Sequence, residues 1–118
     1  MSLYTDFQAK FAFNIGRFLL WIEGQGYNVS FGEAWRSPEQ AALNAASGKG
    51  IKNSLHCDRM ALDLIIRHRD GSEVKRDDYA RCGASWKAID PLNRWGGDFT
   101  GQTAGDFQHF SQEFKGRR

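Results

Sequence analysis

Apolar residues in the first part of the chain recur every three or four positions, which places them on one face of a helix. The stripe consists of Phe7, Phe11, Ile15, Phe18 and Ile22. Thr5 or Asp6 suits the N-cap of this helix, and Gly24 or Gly26 suits its end. The pattern therefore predicts an amphipathic helix that packs its apolar face against a core.

Alternating apolar and polar residues predict strands further along the chain. Residues 27–35 have strand character, with Val29 and Phe31 on one face. Residues 60–67 form the clearest strand. One face of it would carry Leu62, Leu64 and Ile66, and the other face Ala61, Asp63 and Ile65. Asp70-Gly71 is a turn signal after this strand.

Two more helices are marked by the residues at their ends. Ser37 as N-cap and Pro38 at the first helical position predict a helix over Pro38–Ala46. Asp77 or Asp78 would cap a third helix, which runs to about residue 89 and stops before a proline.

Short strands are expected at residues 93–99 and 107–110, and a glycine-rich loop at residues 47–53. At 118 residues, 41% of them hydrophobic, the chain suits one domain over residues 1–118 with one core. The predicted fold is α+β, with helices covering a small antiparallel sheet.

The charge pattern restricts the partners of the chain. A net charge of +2 and a pI near 8.7 are mildly basic, and the two signs are interspersed except for the basic residues 115–118. This is not the pattern of a nucleic-acid-binding protein. A weak positive field would favour association with a polyanionic surface such as a bacterial cell wall.

The apolar run at residues 11–22 is interrupted by Asn14 and Arg17 and falls short of the ~20 residues of a membrane span. No small-residue cleavage site follows it, so a signal peptide is not expected either. The stripe predicts core packing, and an interfacial membrane helix is the alternative.

Asp63 stands in mid-strand between apolar neighbours. Burying an unpaired carboxylate costs several kcal/mol, so this side chain must be paired, neutralised or bound to a cation. A salt bridge to Arg59 or Arg36 and a metal ion are equally good partners from the sequence.

Two of the three histidines, His56 and His109, lie in settings typical of metal ligands. Seven residues separate His56 from Asp63, which would put them on opposite faces of one continuous strand. His56 must therefore lie in the loop before the strand if both bind one ion. His68 has the opposite parity to Asp63 and is predicted to be a surface residue at the strand end.

Other groups could complete a site with these residues. Two imidazoles, a buried carboxylate and Asp106, three residues before His109, are the minimum inventory of a zinc hydrolase. Two cysteines without C-x-x-C spacing indicate free thiols. Cys57 is a weaker candidate ligand, because a residue adjacent to His56 usually points elsewhere.

Four segments together resemble the M15 family of zinc peptidases. Residues 54–63 match the motif SxHxxGxAxD, and residues 36–40 resemble the upstream R-[ST]-x-x-x-Q segment. Residues 93–99 resemble an RWGGDF-type stretch, and residues 106–110 stand where the family has [DE]-x-x-H. The order and compact size are most similar to the small phage and prophage endolysins of this family.

The resemblance implies zinc bound by His56, Asp63 and His109. It also implies that Asp106 is the general base and acid, and that Arg36 polarises the scissile carbonyl and stabilises the oxyanion. The substrate would be a peptide of bacterial peptidoglycan, cleaved as an L-Ala-D-Glu endopeptidase or a D-Ala-D-Ala carboxypeptidase does.

Further roles follow from the same resemblance. Ser54 and Gln40 would orient substrate or support the site, and Trp95 would form a wall of the cleft or pack in the core. Asp98 is a rival for the role of base, although its place between glycine and phenylalanine suits a turn. Residues 47–53 and 99–105 are expected to line the cleft.

Arg59 departs from the motif, which has glycine at this position. Arginine would be strained if the position needed a positive φ. We expect a local adjustment of the backbone and an intact site.

The peptidase would be made in the cytoplasm of a bacterial host and act on periplasmic peptidoglycan, with a holin-like partner giving access to the wall. Two alternatives stay open. One is a non-catalytic wall-binding module with a structural zinc, closed by Cys57 as a fourth ligand. The other is a phage structural protein whose aromatic residues form an exposed patch.

Overall fold

The computed structural model describes residues 3–48 and 54–118. Its helices are α1 (Leu3–Gly24), α2 (Pro38–Ala46) and α3 (Arg76–Ile89), and its strands are β1 (Tyr27–Phe31), β2 (Ala61–His68), β3 (Asn93–Trp95) and β4 (His109–Gln112). Two short 3₁₀ turns, Gly96–Asp98 and Gly101–Thr103, lie between β3 and β4.

The four strands form one sheet in the order β1-β2-β4-β3, and every neighbouring pair is antiparallel. Strand β2 is central and pairs with β1 through Leu64 and Phe31 and with β4 through Asp63 and His109. The α+β prediction is confirmed.

The apolar face of the sheet packs against α1 and α3, as the sequence pattern predicts. The main core contains Phe11, Ile15, Phe18 and Ile22 of α1, Leu62, Leu64 and Ile66 of β2, and Cys82 and Trp86 of α3. Phe7, the remaining member of the stripe, is half-buried in a smaller cluster with Phe114. The opposite face of β2 carries Asp63, so this face is available for a site.

Trp86 connects the helical layer to the sheet. Its side chain is fully buried, and its indole N–H donates to the carbonyls of Arg94 at 2.9 Å and Ser111 at 3.1 Å. A buried indole N–H needs such a partner. Because these carbonyls belong to β3 and β4, the hydrogen bonds fix α3 over the strand that carries His109.

Some predicted boundaries are wrong. Helix α1 begins at Leu3, before the predicted cap, and β1 ends at Phe31 because an irregular segment replaces its last residues. Strand β3 ends at Trp95, where the first 3₁₀ turn begins. The expected strand at 107–110 starts at His109 and continues to residue 112.

The start of α3 also differs from the prediction. Lys75 is the N-cap, and Asp78 lies in the first turn, where its Oδ2 accepts the backbone N–H of Lys75 at 2.9 Å. Asp78 therefore provides a hydrogen-bond acceptor for the backbone N–H of the N-cap residue, although Asp78 itself lies inside the helix. At α2 the prediction is confirmed, since Ser37 Oγ accepts the N–H of Gln40 at 3.0 Å.

The loop predicted at residues 47–53 is described only at its start, and residues 49–53 lie outside the described residues. Within residues 3–48 and 54–118, no helix has both the length and the apolar character needed to cross a bilayer.

Candidate metal centre

Three residues from separate parts of the chain meet on the open face of the sheet. Asp63 of β2 and His109 of β4 are directly opposite in the antiparallel register. His56 lies in the turn before β2, which is closed by a hydrogen bond from the N–H of Met60 to the carbonyl of Leu55 at 3.0 Å. This turn places His56 in a loop, as predicted, and removes the parity conflict with Asp63.

One oxygen of Asp63 lies between the two imidazoles. Its Oδ1 is 3.3 Å from His56 Nε2 and 3.7 Å from His109 Nδ1. Candidate ligand atoms of the three residues all lie within 4.8 Å of one another. Two imidazole nitrogens and a carboxylate oxygen at this separation could bind a metal ion.

Asp63 lacks the alternative partners that the sequence offered. Arg36 pairs with Glu33, and the Arg59 guanidinium lies 5.1 Å from the centre of the Trp35 ring. Oδ1 of Asp63 is buried and accepts no hydrogen bond from any described residue. A buried carboxylate oxygen without a donor needs a cation, so the residues present fit a metal ion.

The surrounding backbone sets the tautomer of His56. Its Nδ1 lies 3.2 Å from the carbonyl oxygen of Ala34, so Nδ1 carries the proton that it donates there. The Nε2 lone pair is then free on the side of Asp63. Ser54 Oγ accepts the N–H of His56 at 3.1 Å, so Ser54 supports the ligand turn.

Burial keeps His109 neutral. Loss of water around the ring, with a smaller effect of nearby His56, lowers the pKa of His109 from 6.5 to about 4. A metal ion binds the neutral imidazole, so His109 is in its ligand form across the neutral pH range.

The three residues lie in a cleft of ≈ 500 Å³. Other residues that line it include Arg36, Ser54, Phe99, Gln102, Thr103 and Asp106. The prediction that residues 99–105 line the cleft is confirmed. From the other predicted loop, at residues 47–53, Gly48 also lines the cleft.

Asp106 stands at the edge of the cleft beside the cluster. Its side chain is 49% exposed, and its Oδ2 lies 3.7 Å from His109 Nδ1. Partial burial raises the pKa of Asp106 above its usual value, and the nearby Asp63 carboxylate raises it further. A carboxylate in a cleft with a raised pKa is a candidate for proton transfer.

Gly96 makes room for the turn that carries Asp106. A Cβ at position 96 would lie 2.0 Å from the Asp106 carbonyl oxygen and 2.9 Å from the Cβ of His109. Only glycine allows this approach. The RWGGDF-type stretch thus contributes through its backbone.

Arg36 reaches the cleft from the irregular segment after β1. Its side chain is 14% exposed, and its Nε donates to Glu33 Oε1 at 2.6 Å. The sequence prediction missed Glu33. Glutamate three residues before an arginine is common at protein surfaces and offers no distinguishing signal.

Two residues proposed for substrate contacts lie elsewhere. Trp95 is 6% exposed, packs over Gly83 and Gly97, and donates its indole N–H to the Phe107 carbonyl at 2.8 Å. Trp95 therefore packs in the core, and the prediction that it forms a wall of the cleft is wrong. Gln40 is exposed on α2, does not line the cleft and donates to Asn44 Oδ1 at 2.8 Å.

Three competing candidates are also outside the cluster. Asp98 is half-exposed and forms an ion pair with Lys87 at 2.6 Å. His68 is half-exposed at the end of β2, 3.9 Å from Asp78 Oδ2. The Cys57 thiol is directed at the Ser37 carbonyl at 3.9 Å, and burial raises its pKa.

Arg59 stands where the motif has glycine, and it adopts a backbone conformation that favours glycine. Its φ is 59°, in the left-handed region. The expected adjustment of the backbone away from a positive φ is wrong, because the arginine itself adopts a positive φ. The second part of the expectation holds, since His56, Asp63 and His109 still meet.

No family model and no curated protein matches the sequence. Among solved structures, the fold is similar to that of the Serratia marcescens L-Ala D-Glu endopeptidase ChiX. The TM-score is 0.61, the identity is 21%, and the match covers 74% of this chain and 68% of that chain. At this identity the likeness shows a shared fold.

Proposed function

We propose that this chain is a zinc-dependent peptidase of the M15 type that hydrolyses the stem peptides of bacterial peptidoglycan. The observation that carries the proposal is the convergence of His56, Asp63 and His109 in a cleft that also presents Asp106 and Arg36. The shared fold with an L-Ala D-Glu endopeptidase supports the peptidoglycan substrate.

The ligand set favours a catalytic metal. Three protein ligands of the types His, Asp and His leave a coordination position open, which is typical of catalytic zinc sites. When bound, zinc would supply Lewis acidity, which polarises a carbonyl and lowers the pKa of water. Cys57 supplies no fourth ligand, since its thiol is directed at the Ser37 carbonyl.

Asp106 is the proposed general base and acid. Its carboxylate takes a proton from the attacking water and later delivers it to the leaving amine. The raised pKa of Asp106, caused first by its partial burial and then by Asp63, makes the carboxylate a stronger base toward the attacking water.

Arg36 is the proposed stabiliser of the oxyanion. Its guanidinium lines the cleft and is held by Glu33, so it presents a fixed positive charge. A fixed charge stabilises the oxygen that becomes negative in the tetrahedral intermediate without reorganising first. Ser54 acts indirectly, by holding the turn that carries His56.

Mass spectrometry of fragments released from purified peptidoglycan tests the proposal. The zinc-loaded protein should release peptides with a single type of new end, either between L-Ala and D-Glu or before a terminal D-Ala. The position of that end also distinguishes an endopeptidase from a carboxypeptidase. A protein that binds zinc stoichiometrically and releases no fragment would be the non-catalytic module instead.

A further inference from the structure

Strand β1 is followed by a β-bulge beside Asp63. The N–H of Gly32 donates to the Asp63 carbonyl at 2.8 Å, whereas the N–H of Asp63 donates to the Glu33 carbonyl at 2.9 Å. Two consecutive residues thus oppose one residue of β2, which defines a bulge. A Cβ at position 32 would lie 3.1 Å from the Cβ of Asp63, so glycine permits this close pairing.

The bulge changes the face on which Glu33 lies. In the regular register Phe31 pairs with Leu64, and continued pairing would place Glu33 opposite Leu62 on the core face. With one residue added, Glu33 opposes Asp63 and lies on the face of the cluster. Redirecting a side chain beside a site is a common consequence of a bulge.

Once redirected, the Glu33 carboxylate contacts two residues of the cleft. Its Oε1 accepts Nε of Arg36 at 2.6 Å and makes a second, shorter contact with Nη2. The same oxygen lies 3.7 Å from His56 Nδ1. Arg36 Nη1 donates to no residue within the described parts of the chain, so it is available to a ligand in the cleft.

We propose that Glu33 is a positioning residue that holds the Arg36 guanidinium in its working orientation and places a negative charge beside the His56 imidazole, whose Nδ1 donates to Ala34. Contact with two nitrogens of a planar guanidinium fixes its direction and leaves Nη1 for a carbonyl oxygen. A negative charge beside Nδ1 of His56 favours the proton on that nitrogen, which keeps Nε2 free for a metal ion. The inference rests on the proposed function.

A purely structural ion pair is the competing explanation. The backbone around Glu33 is held independently of its carboxylate, through the two hydrogen bonds between the bulge and Asp63. Loss of the charge should therefore leave the fold intact while it releases Arg36 and removes the negative charge beside His56, whose hydrogen bond to Ala34 remains. Glu33→Gln removes the charge and keeps the size, Glu33→Asp keeps the charge, and Glu39→Gln on exposed α2 is a matched control.

Zinc affinity, measured by competition with a chromophoric chelator, gives a readout besides activity. Loss of a partner behind a metal ligand typically costs about 10- to 100-fold in affinity or activity. Because the Ala34 carbonyl still accepts the Nδ1 proton, we expect Glu33→Gln to lower zinc affinity by less than this, up to about 10-fold. Through the released Arg36, kcat should fall at least about 10-fold with little change in KM. Glu33→Asp should retain part of the zinc affinity and part of the kcat that Glu33→Gln loses. Glu39→Gln should have the zinc affinity and kcat of the wild-type protein.

A double-mutant cycle tests whether Glu33 acts through Arg36. If it does, Glu33→Gln combined with Arg36→Gln should lose no more kcat than Arg36→Gln alone. Additive losses, or wild-type zinc affinity and kcat in Glu33→Gln, overturn the inference. If the wild-type protein cleaves no peptidoglycan, the proposed function fails, and the zinc affinity of Glu33→Gln alone decides the inference.

Discussion

Asp63 and His109 face each other across neighbouring antiparallel strands, with Oδ1 of the aspartate 3.7 Å from Nδ1 of the histidine. Directly opposite residues on one sheet face have Cβ atoms about 5 Å apart. Two of the three candidate ligands are therefore placed by sheet register, and only His56 depends on a turn. The relative position of these two ligands is therefore fixed by the pairing of β2 with β4.

Removal of one imidazole should reduce metal binding. His56→Ala and His109→Ala each leave two of three ligands, so we expect bound zinc to fall well below one ion per chain after dialysis. Elemental analysis of the dialysed proteins measures this. His68→Ala is the control, because His68 is half-exposed at the far end of β2, outside the cluster. Unchanged zinc in His56→Ala would remove this residue from the ligand set.

Asp106→Asn should keep zinc and lose hydrolysis. The amide preserves the shape of the side chain but cannot accept the proton of water, and loss of a general base typically costs about 10²- to 10⁴-fold. Steady-state cleavage of a stem peptide measures the change in kcat. Asp98→Asn should retain activity, because Asp98 pairs with Lys87. The reverse result would make Asp98 the base.

Gly96→Ala should disturb the site through the backbone alone. The added Cβ would lie 2.0 Å from the Asp106 carbonyl oxygen, so the turn must move. Overpacking of this kind typically costs about 1–3 kcal/mol, and both zinc content and kcat should fall. Chemical unfolding, metal analysis and steady-state cleavage of a stem peptide measure these effects.

Gly16→Ala provides the matched control for that substitution. Gly16 lies within α1, and a Cβ there would meet nothing within 4 Å. The alanine should stabilise the protein by about 0.5–1 kcal/mol because glycine is unfavourable inside a helix. Equal behaviour of the two variants would contradict the steric role of Gly96.

Local sequence patterns predict the parts of the site that depend on local structure. The parity of β2 places Asp63 away from Leu62 and Leu64, and the same parity forces His56 into a turn. His109 and Asp106 are also candidates in the sequence, and the resemblance to M15 peptidases gives them roles, but they lie close to these residues only because β4 pairs with β2.

Pairing between strands explains what the sequence does not predict. Glu33 lies close to Arg36 and His56 because a bulge shifts its register against Asp63, and no local pattern encodes that shift. Trp95 is buried because Gly83, distant in sequence, leaves space for its ring. Both cases depend on contacts between segments, whereas periodicity reports only the faces of single elements.

The stability of the metal-free protein should depend on pH through His109. The folded protein keeps this pKa near 4, whereas the unperturbed value is 6.5, so the unfolded chain binds more protons between these values. Stability is therefore complete above about pH 6.5 and falls as the pH drops toward 4. The slope for one proton is at most about 1.4 kcal/mol per pH unit.

Urea unfolding of the metal-free protein between about pH 4.5 and 7 measures this dependence. In His109→Gln, the free energy of unfolding should depend less steeply on pH, by the contribution of one proton, whereas His68→Gln should keep the wild-type pH dependence. An identical pH dependence in His109→Gln and the wild-type protein would show that another group is responsible.

Arg59 offers a direct measure of backbone strain beside the site. Its φ of 59° costs a non-glycine residue about 1 kcal/mol or more, whereas its contact with the Trp35 ring returns about 0.5–1 kcal/mol. Arg59→Gly removes both effects, so its free energy of unfolding should lie close to that of the wild-type protein. Arg59→Ala keeps the strain and loses the contact, so it should be less stable.

The difference between these two variants isolates the strain, because neither retains the guanidinium. We expect Arg59→Gly to exceed Arg59→Ala by about 1 kcal/mol in urea unfolding, since alanine is also disfavoured at positive φ. If the two side chains act through one contact, Trp35→Leu should lower the free energy of unfolding about as much as Arg59→Ala does. Combining Trp35→Leu with Arg59→Ala should then lower it no further. Equal stability of the glycine and alanine variants would mean that the turn relaxes when arginine is replaced, and that Arg59 itself holds the left-handed conformation.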